Sequence, residues 1–346
     1  MYTFKTTNKK VFLTLLISLF SLSSFAQDEI NELFKANAGD ATKLIQAYMN
    51  PFFKGFGYGL NSGWNTTGAA KKFGRFEIRV GLTGSFIPEQ DKTFDVTQIG
   101  LSNAIRPADP SKVMSPTIGG DEILGPTMKI YSNNVAVGEF TLPKGAKLPF
   151  VPAPQVQASV GLLKGIDVTL RYVPEMDLGS KSGSVNMLGG GIKVNLLRLF
   201  AGKMTDKIAP FDLAASVGYT SLEYRLPLNV QKPGSNYTNQ NLYAKFTGMN
   251  YEAIISKKIL FLTPFFSLAY QKAENNVELR GVYPFQIANG VYTDLTNPVQ
   301  INGSYKTGLR ANLGLQMNIT FLRVFASYST GDYKAFNAGL GIGIGK

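Results

Sequence analysis

Between Tyr305 and Thr320 the chain reads YKTGLRANLGLQMNIT, and its odd and even positions differ throughout. Tyr305, Thr307, Leu309, Ala311, Leu313, Leu315, Met317 and Ile319 are apolar or tolerate lipid. Lys306, Gly308, Arg310, Asn312, Gly314, Gln316, Asn318 and Thr320 are polar, charged or glycine. A period of two puts these sets on opposite faces of a β-strand. Strands of soluble sheets usually run about 5–6 residues, whereas a tilted membrane crossing takes about 9–11. The segment is long enough to cross a bilayer, with its apolar face on lipid and its polar face on a lumen.

The alternation recurs along the chain. Phe76, Ile78, Val80 and Leu82 alternate with Glu77, Arg79, Gly81 and Thr83, and Ile166, Val168, Leu170 and Tyr172 with Asp167, Thr169 and Arg171. Ten segments qualify as secure strands: 74–87, 154–164, 166–177, 184–200, 210–226, 238–256, 259–280, 303–320, 321–331 and 334–345. TMKIYSNNVAVGEFT (127–141) reads as a hairpin with short arms, and GFGYGLNSGW (55–64) as a weak strand. The predicted fold is all-β: a transmembrane antiparallel β-barrel of ten secure strands, best estimate 12, range 10–14. The connections support it. Those at 164–165, 256–258 and near Thr320 are tight, and 88–153, 227–237 and 281–302 are long; with 201–209 as the exception, long and short fall on opposite sides. Outer-membrane barrels have this sidedness.

The N-terminus has a different texture. Lys5, Lys9 and Lys10 precede an apolar run from Val11 to Phe20, and Ser24-Phe25-Ala26 supplies small residues for cleavage before Gln27. Residues 1–26 thus read as a signal peptide. Residues 27–65 show helical periodicity: Ile30, Leu33 and Phe34 share a face, and Asp40 can cap a second helix. In that helix Leu44, Ile45, Tyr48 and Met49 line one side until Asn50-Pro51 stops it, ahead of Phe52, Phe53 and glycines at 55, 57, 59 and 63. This segment is expected to plug the barrel or to cap its periplasmic mouth, and 66–346 to form the barrel.

The segments YMNPFFKGFGYGLNSGW and FGRFEIRVGLTGSFIP resemble a family of uncharacterised outer-membrane β-barrel proteins from Bacteroidota. That resemblance implies an N-terminal helical segment followed by barrel strands to the C-terminus. The plan is also similar to that of FadL-type transporters of hydrophobic compounds, barrels blocked by an N-terminal hatch, but no pocket residue of that family is matched. The chain ends GIGIGK, without the terminal aromatic residue of many such barrels.

Composition narrows the chemistry. The formal charge is +12, there are 24 Phe and 16 Tyr, and the chain has neither histidine nor cysteine. Ser-His-acid hydrolysis, histidine acid–base chemistry, and His or Cys metal sites are excluded. The acids of 86–95 and 119–123 lack EF-hand spacing and read as solvated loops. No enzyme, cofactor, metal or nucleic-acid partner is expected. The expected lumen-lining residues are Arg75, Glu77, Arg79, Asp167, Arg171, Lys193, Lys245 and Arg310, with Glu223 also inward, and the expected plug or cap residues are Leu44, Ile45, Tyr48, Phe52 and Phe53. Tyr172, Tyr219, Tyr224, Tyr305, Tyr328 and Phe336 suit an interfacial girdle. Two functions follow. One is a passive channel or transporter in the outer membrane of a Gram-negative bacterium, passing hydrophobic or amphiphilic anionic small molecules along that basic face. The other is a structural or surface-interaction barrel that transports nothing. Outer-membrane lipid is the expected partner in both, with a hydrophobic or anionic ligand in the first. An open lumen would favour transport, and a filled one the second.

Overall fold

A computed structural model describes residues 38–162, 165–179, 182–201, 210–288, 291–306 and 308–343. The expected signal peptide and the expected helical turn with Ile30, Leu33 and Phe34 lie outside the described residues. Ten strands form the wall: β1 Phe76–Phe86, β2 Phe150–Gly161, β3 Ile166–Asp177, β4 Ser184–Asn195, β5 Asp212–Pro227, β6 Asn241–Ser256, β7 Leu262–Arg280, β8 Arg310–Ile319, β9 Leu322–Thr330 and β10 Ala335–Gly343. Each pairs antiparallel with its sequence neighbours, and β10 returns to β1, with Ala338 opposite Leu82. Closing the ring pairs each strand on both sides over most of the wall, and an unpaired edge in hydrocarbon would cost several kcal/mol per unsatisfied group.

The barrel is inside out relative to a soluble fold. Ile78, Leu170, Tyr172, Leu188, Leu313 and Leu340 are exposed on its outer surface, while Glu77, Arg79, Gln157, Arg171, Lys193 and Arg310 are buried within. This is the sequence alternation made physical, since successive side chains point to opposite faces of a strand. The wall is uneven in height. β5, β6 and β7 have 16, 16 and 19 residues, and β8, β9 and β10 have 10, 9 and 9.

The ring closes at ten, so the two extra strands of the 12-strand estimate are not in it. Thr127–Ser132 pairs with Val135–Thr141 on one side and with Ile105–Pro107 on the other, inside the long connection between β1 and β2. Arms of six and seven residues are too short to span.

The opening alternation of 305–320 is not one strand. Val299–Lys306 pairs with the upper part of β7, and Arg310–Ile319 with its lower part. Between the two, inward and outward positions exchange. Tyr305 therefore turns inward, and its hydroxyl donates to Asn50 Oδ1 at 2.9 Å. Tyr224 is also buried, leaving Tyr172, Tyr219, Tyr328 and Phe336 on the girdle.

Helix α1, Ala38–Leu60, runs through Pro51 instead of stopping before it. The missing N–H of Pro51 costs one helical hydrogen bond. Packing on both sides holds the next nine residues helical, so 55–60 is helix and not strand.

Candidate functional site

Helix α1 stands in the upper lumen. Leu44 is buried and Ile45 packs on the same cluster; Tyr48 donates its hydroxyl to the Lys144 carbonyl at 3.1 Å. Phe52 stacks on Phe56 with centroids 5.9 Å apart, and Phe53 and Phe56 reach Phe246 of β6 at 6.2 and 4.7 Å. A ten-stranded barrel is little wider than the eight-stranded kind that side chains alone fill. A helix fits only if it is thin, and the glycines thin it. A Cβ on Gly55 or Gly59 would lie 2.7 or 2.6 Å from Val151 and Ala153 of β2, and one on Gly57 would lie 2.5 Å from Ala273 of β7. Strands β2 and β7 are five places apart in the ring, so the helix is wedged across the full bore.

Below Leu60 the chain becomes extended, and the wall grips its backbone. Arg310 Nη1 donates to the Tyr58 carbonyl at 3.4 Å, Gln155 Nε2 to Gly59 at 2.7 Å and Arg171 Nη1 to Leu60 at 2.6 Å. Gln271 Nε2 donates to the Asn61 carbonyl, Arg171 Nη2 to Ser62 at 2.7 Å, and Arg79 Nη2 to Gly63 and Trp64 at 3.2 and 2.7 Å. Lys193 Nζ serves the Thr67 and Ala69 carbonyls at 3.1 and 2.8 Å, Asn195 Nδ2 serves Gly68 and Arg198 serves Ala70. Carbonyls at a helix C-terminus lack helical partners and carry negative partial charge, so cationic donors suit them. The buried arginines supply what the extended chain cannot make for itself.

Trp64 is the centrepiece of this grip. Its ring lies 3.8 Å from the Arg171 guanidinium carbon, in cation–π geometry. It fills a notch where Gly191 and Gly218 face each other across β4 and β5; a Cβ there would lie 2.7 and 2.4 Å from the ring. Gly63, just before it, has a φ of +71°, which favours glycine.

An ionic cluster closes the lower end. Asp167 lies 3.0 Å from Lys193 and 3.6 Å from Lys71, and accepts from the Lys71 backbone N–H at 2.9 Å. Glu77 lies 3.3 Å from Lys71 and 2.5 Å from Arg323. A void of only about 20 Å³ remains beside Trp64 and Arg310, on the order of one water molecule. Larger cavities lie at the outer mouth. One of about 340 Å³ sits between α1 and the first long connection, at Lys43, Gln46, Asn50 and Phe94. Another of about 800 Å³ lies at Glu175, Asp177, Arg225 and Arg280.

Six of the eight expected lumen residues meet in this arrangement: Glu77, Arg79, Asp167, Arg171, Lys193 and Arg310. Two do not. Arg75 precedes β1 and is exposed at the short-turn mouth. Lys245 lies on the outward row of β6, directly opposite Glu223 of β5 and 3.2 Å from its carboxylate. In β5 and β6 the even residues face inward, so Glu223 and Lys245 face out together. Gln155, Gln157, Trp64, Lys71 and Arg323 complete the site without having been singled out. The polar rows of β2 and β9 contained a signal for three of them, whereas nothing local marks Trp64 or Lys71.

Residues 7–344 match the family described as a family of unknown function, DUF6588. The chain belongs to that family. No curated protein matches it. Among solved structures it is similar to Ail, the attachment invasion locus protein of Yersinia pestis, at 9% identity over 79% of this chain and 98% of that one, TM-score 0.26. The translocator domain of the autotransporter NalP from Neisseria meningitidis matches at 10% identity over 89% and 98%, TM-score 0.28. The toluene transporter TodX of Pseudomonas putida matches at 9% identity over 84% and 76%, TM-score 0.26. These superpositions are too loose to bear on function.

Proposed function

We propose that this protein is an outer-membrane barrel sealed by its own N-terminal segment, whose outward connections form the working surface. One observation carries the reading: from Tyr58 to Ala70, eleven backbone carbonyls accept hydrogen bonds from wall side chains. Arg79, Arg171, Lys193 and Arg310, four of the cations expected to line an anion path, are engaged by the chain itself. A passive route for amphiphilic anions would require these buried bonds to break together, each at about 1–3 kcal/mol for the group left unpaired. The reading adopted is therefore the non-transporting, surface-interacting barrel. Its partners are outer-membrane lipid along the outward faces and a ligand or protein above them, where the cavities at Lys43 and at Arg280 open. The protein reaches that membrane in a Gram-negative cell by export and cleavage before Gln27.

Planar-bilayer recording tests the sealed lumen. The purified protein is expected to insert without step conductance, and liposomes carrying it to take up fatty acids or small anions no faster than empty ones. A long-lived open level from the unaltered protein, or uptake above that of empty vesicles, would overturn the reading.

A further inference from the structure

The lumenal chain has a direction. At the start of α1, Asp40 accepts from the Ser102 backbone N–H at 2.9 Å and from its hydroxyl at 2.5 Å, and Lys43 donates to the Gly100 carbonyl. Farther along, the Ile118 N–H donates to the Tyr48 carbonyl at 3.1 Å. Ser102, Gly100 and Ile118 all belong to the long connection between β1 and β2, at the mouth opposite the tight turns. By Gly68 the chain has reached the other mouth: its N–H donates to Ser256 Oγ at the end of β6, and that of Lys71 to Asp167 at the start of β3. β1 then begins at Phe76 on that same side. The chain crosses the bore once, from the long-connection mouth to the tight-turn mouth. In an outer-membrane barrel the first is the cell surface and the second the periplasm.

We infer that the barrel carries the start of α1 across the outer membrane and displays it at the cell surface, while β1 starts and β10 finishes on the periplasmic side. The lumen has no room for a second pass. Gly55, Gly57 and Gly59 already touch opposite walls, and Trp64 fills the notch between β4 and β5. The Asp40–Ser102 clamp therefore fixes the start of α1 against the outer surface formed by the long connections. This display rests on the sealed-lumen reading, but the two fail separately: a leaky barrel can still present its amino terminus outside.

The chain has no cysteine, so single-cysteine variants report position without background. Gly39→Cys sits at the start of α1, Asn236→Cys in the outer connection between β5 and β6, and Lys257→Cys in a tight turn; all three positions are exposed. Intact cells are treated with a maleimide coupled to a polyethylene glycol too large to cross the outer membrane. Gly39→Cys is expected to label as fully as Asn236→Cys, and Lys257→Cys only after permeabilisation. Labelling of Gly39→Cys only after permeabilisation, in step with Lys257→Cys, would overturn the inference. An epitope inserted directly after Gln27 of the otherwise unaltered chain gives an independent readout that avoids α1. Antibody binding on intact cells is expected, and binding confined to permeabilised cells would contradict it.

Discussion

The upper and lower halves of the lumen hold consecutive pieces of one chain by opposite means. Above Leu60 a helix is held by volume: Leu44, Phe53 and Phe56 are buried, and glycines let α1 touch both walls. Below it an extended segment is held by charge and hydrogen bonds, with Arg171 and Asp167 almost fully buried. The difference follows from the backbone. A helix satisfies its own amides and needs only an apolar bed, whereas an extended chain buried away from water needs a partner for every carbonyl. The wall changes character at the level where the helix ends. Val151 and Ala153 of β2 face the helix, and Gln155 and Gln157 of the same strand face the extended chain.

Substitutions that keep shape and change charge should therefore be severe below and mild above, with the reverse for volume. The largest effect is expected from Asp167→Asn, which leaves Lys71 and Lys193 without their shared acid. Stranding buried charge in this way costs about 3–5 kcal/mol, read as a fall in the unfolding midpoint in detergent. A loss below about 1 kcal/mol would show that the lower cluster is well hydrated. Next is Gly59→Val in the upper half, where even the first added carbon meets Ala153. Overpacking of this kind costs about 1–3 kcal/mol, and displacing α1 should also give bilayer current where the unaltered protein gives none. Leu44→Met conserves volume and should cost less than about 1.5 kcal/mol, with the lumen still sealed.

The smallest effect lies outside the membrane. Asp294 accepts hydrogen bonds from Lys232 at 2.9 Å and from Tyr237 at 2.8 Å, tying the 282–296 hairpin to the 228–240 connection. The Lys232 hydrogen bond, and then that of Tyr237, hold the Asp294 carboxyl below its ordinary value of 3.8. The tie is therefore complete above that value and is lost as pH falls through the lowered one. Acid-protease cutting within 228–240 should rise only on acidification below about 3.8, while the bilayer record stays silent. Cutting that rises already near neutral pH would mean the tie does not hold the connection.

The barrel was legible in the sequence because its two solvents write a period of two along every strand. The outer faces of β1 and β3 could be assigned residue by residue. The errors arose where that period breaks or where a partner is remote. The inward and outward exchange between Lys306 and Arg310 moved Tyr305, and an ordinary shift of parity sent Glu223 and Lys245 outward together. β2 begins at Phe150, ahead of Pro152 and four residues before the expected start at 154. It pairs with β1 over its whole length but with β3 only from Gln157 onward. Its upper edge therefore asks for no ladder donor there. Pro51 ended a helix by local rules that the two lumen walls override. Six of the eight predicted charged residues came together as a site, but the partners of its arginines and lysine are largely backbone carbonyls, which no sequence motif announces.

The central claim is that residues 38–72 fill the bore and stay there, and Trp64 reports on it directly, being the one tryptophan of the chain. In the folded barrel its indole is only 5% exposed, against Arg171, Gly191 and Gly218. Quenching of its fluorescence by iodide and acrylamide should be negligible in the folded protein and should approach that of free tryptophan only on unfolding. Quenching in the folded barrel as strong as in the unfolded chain would mean that the segment leaves the lumen, and the account would fail.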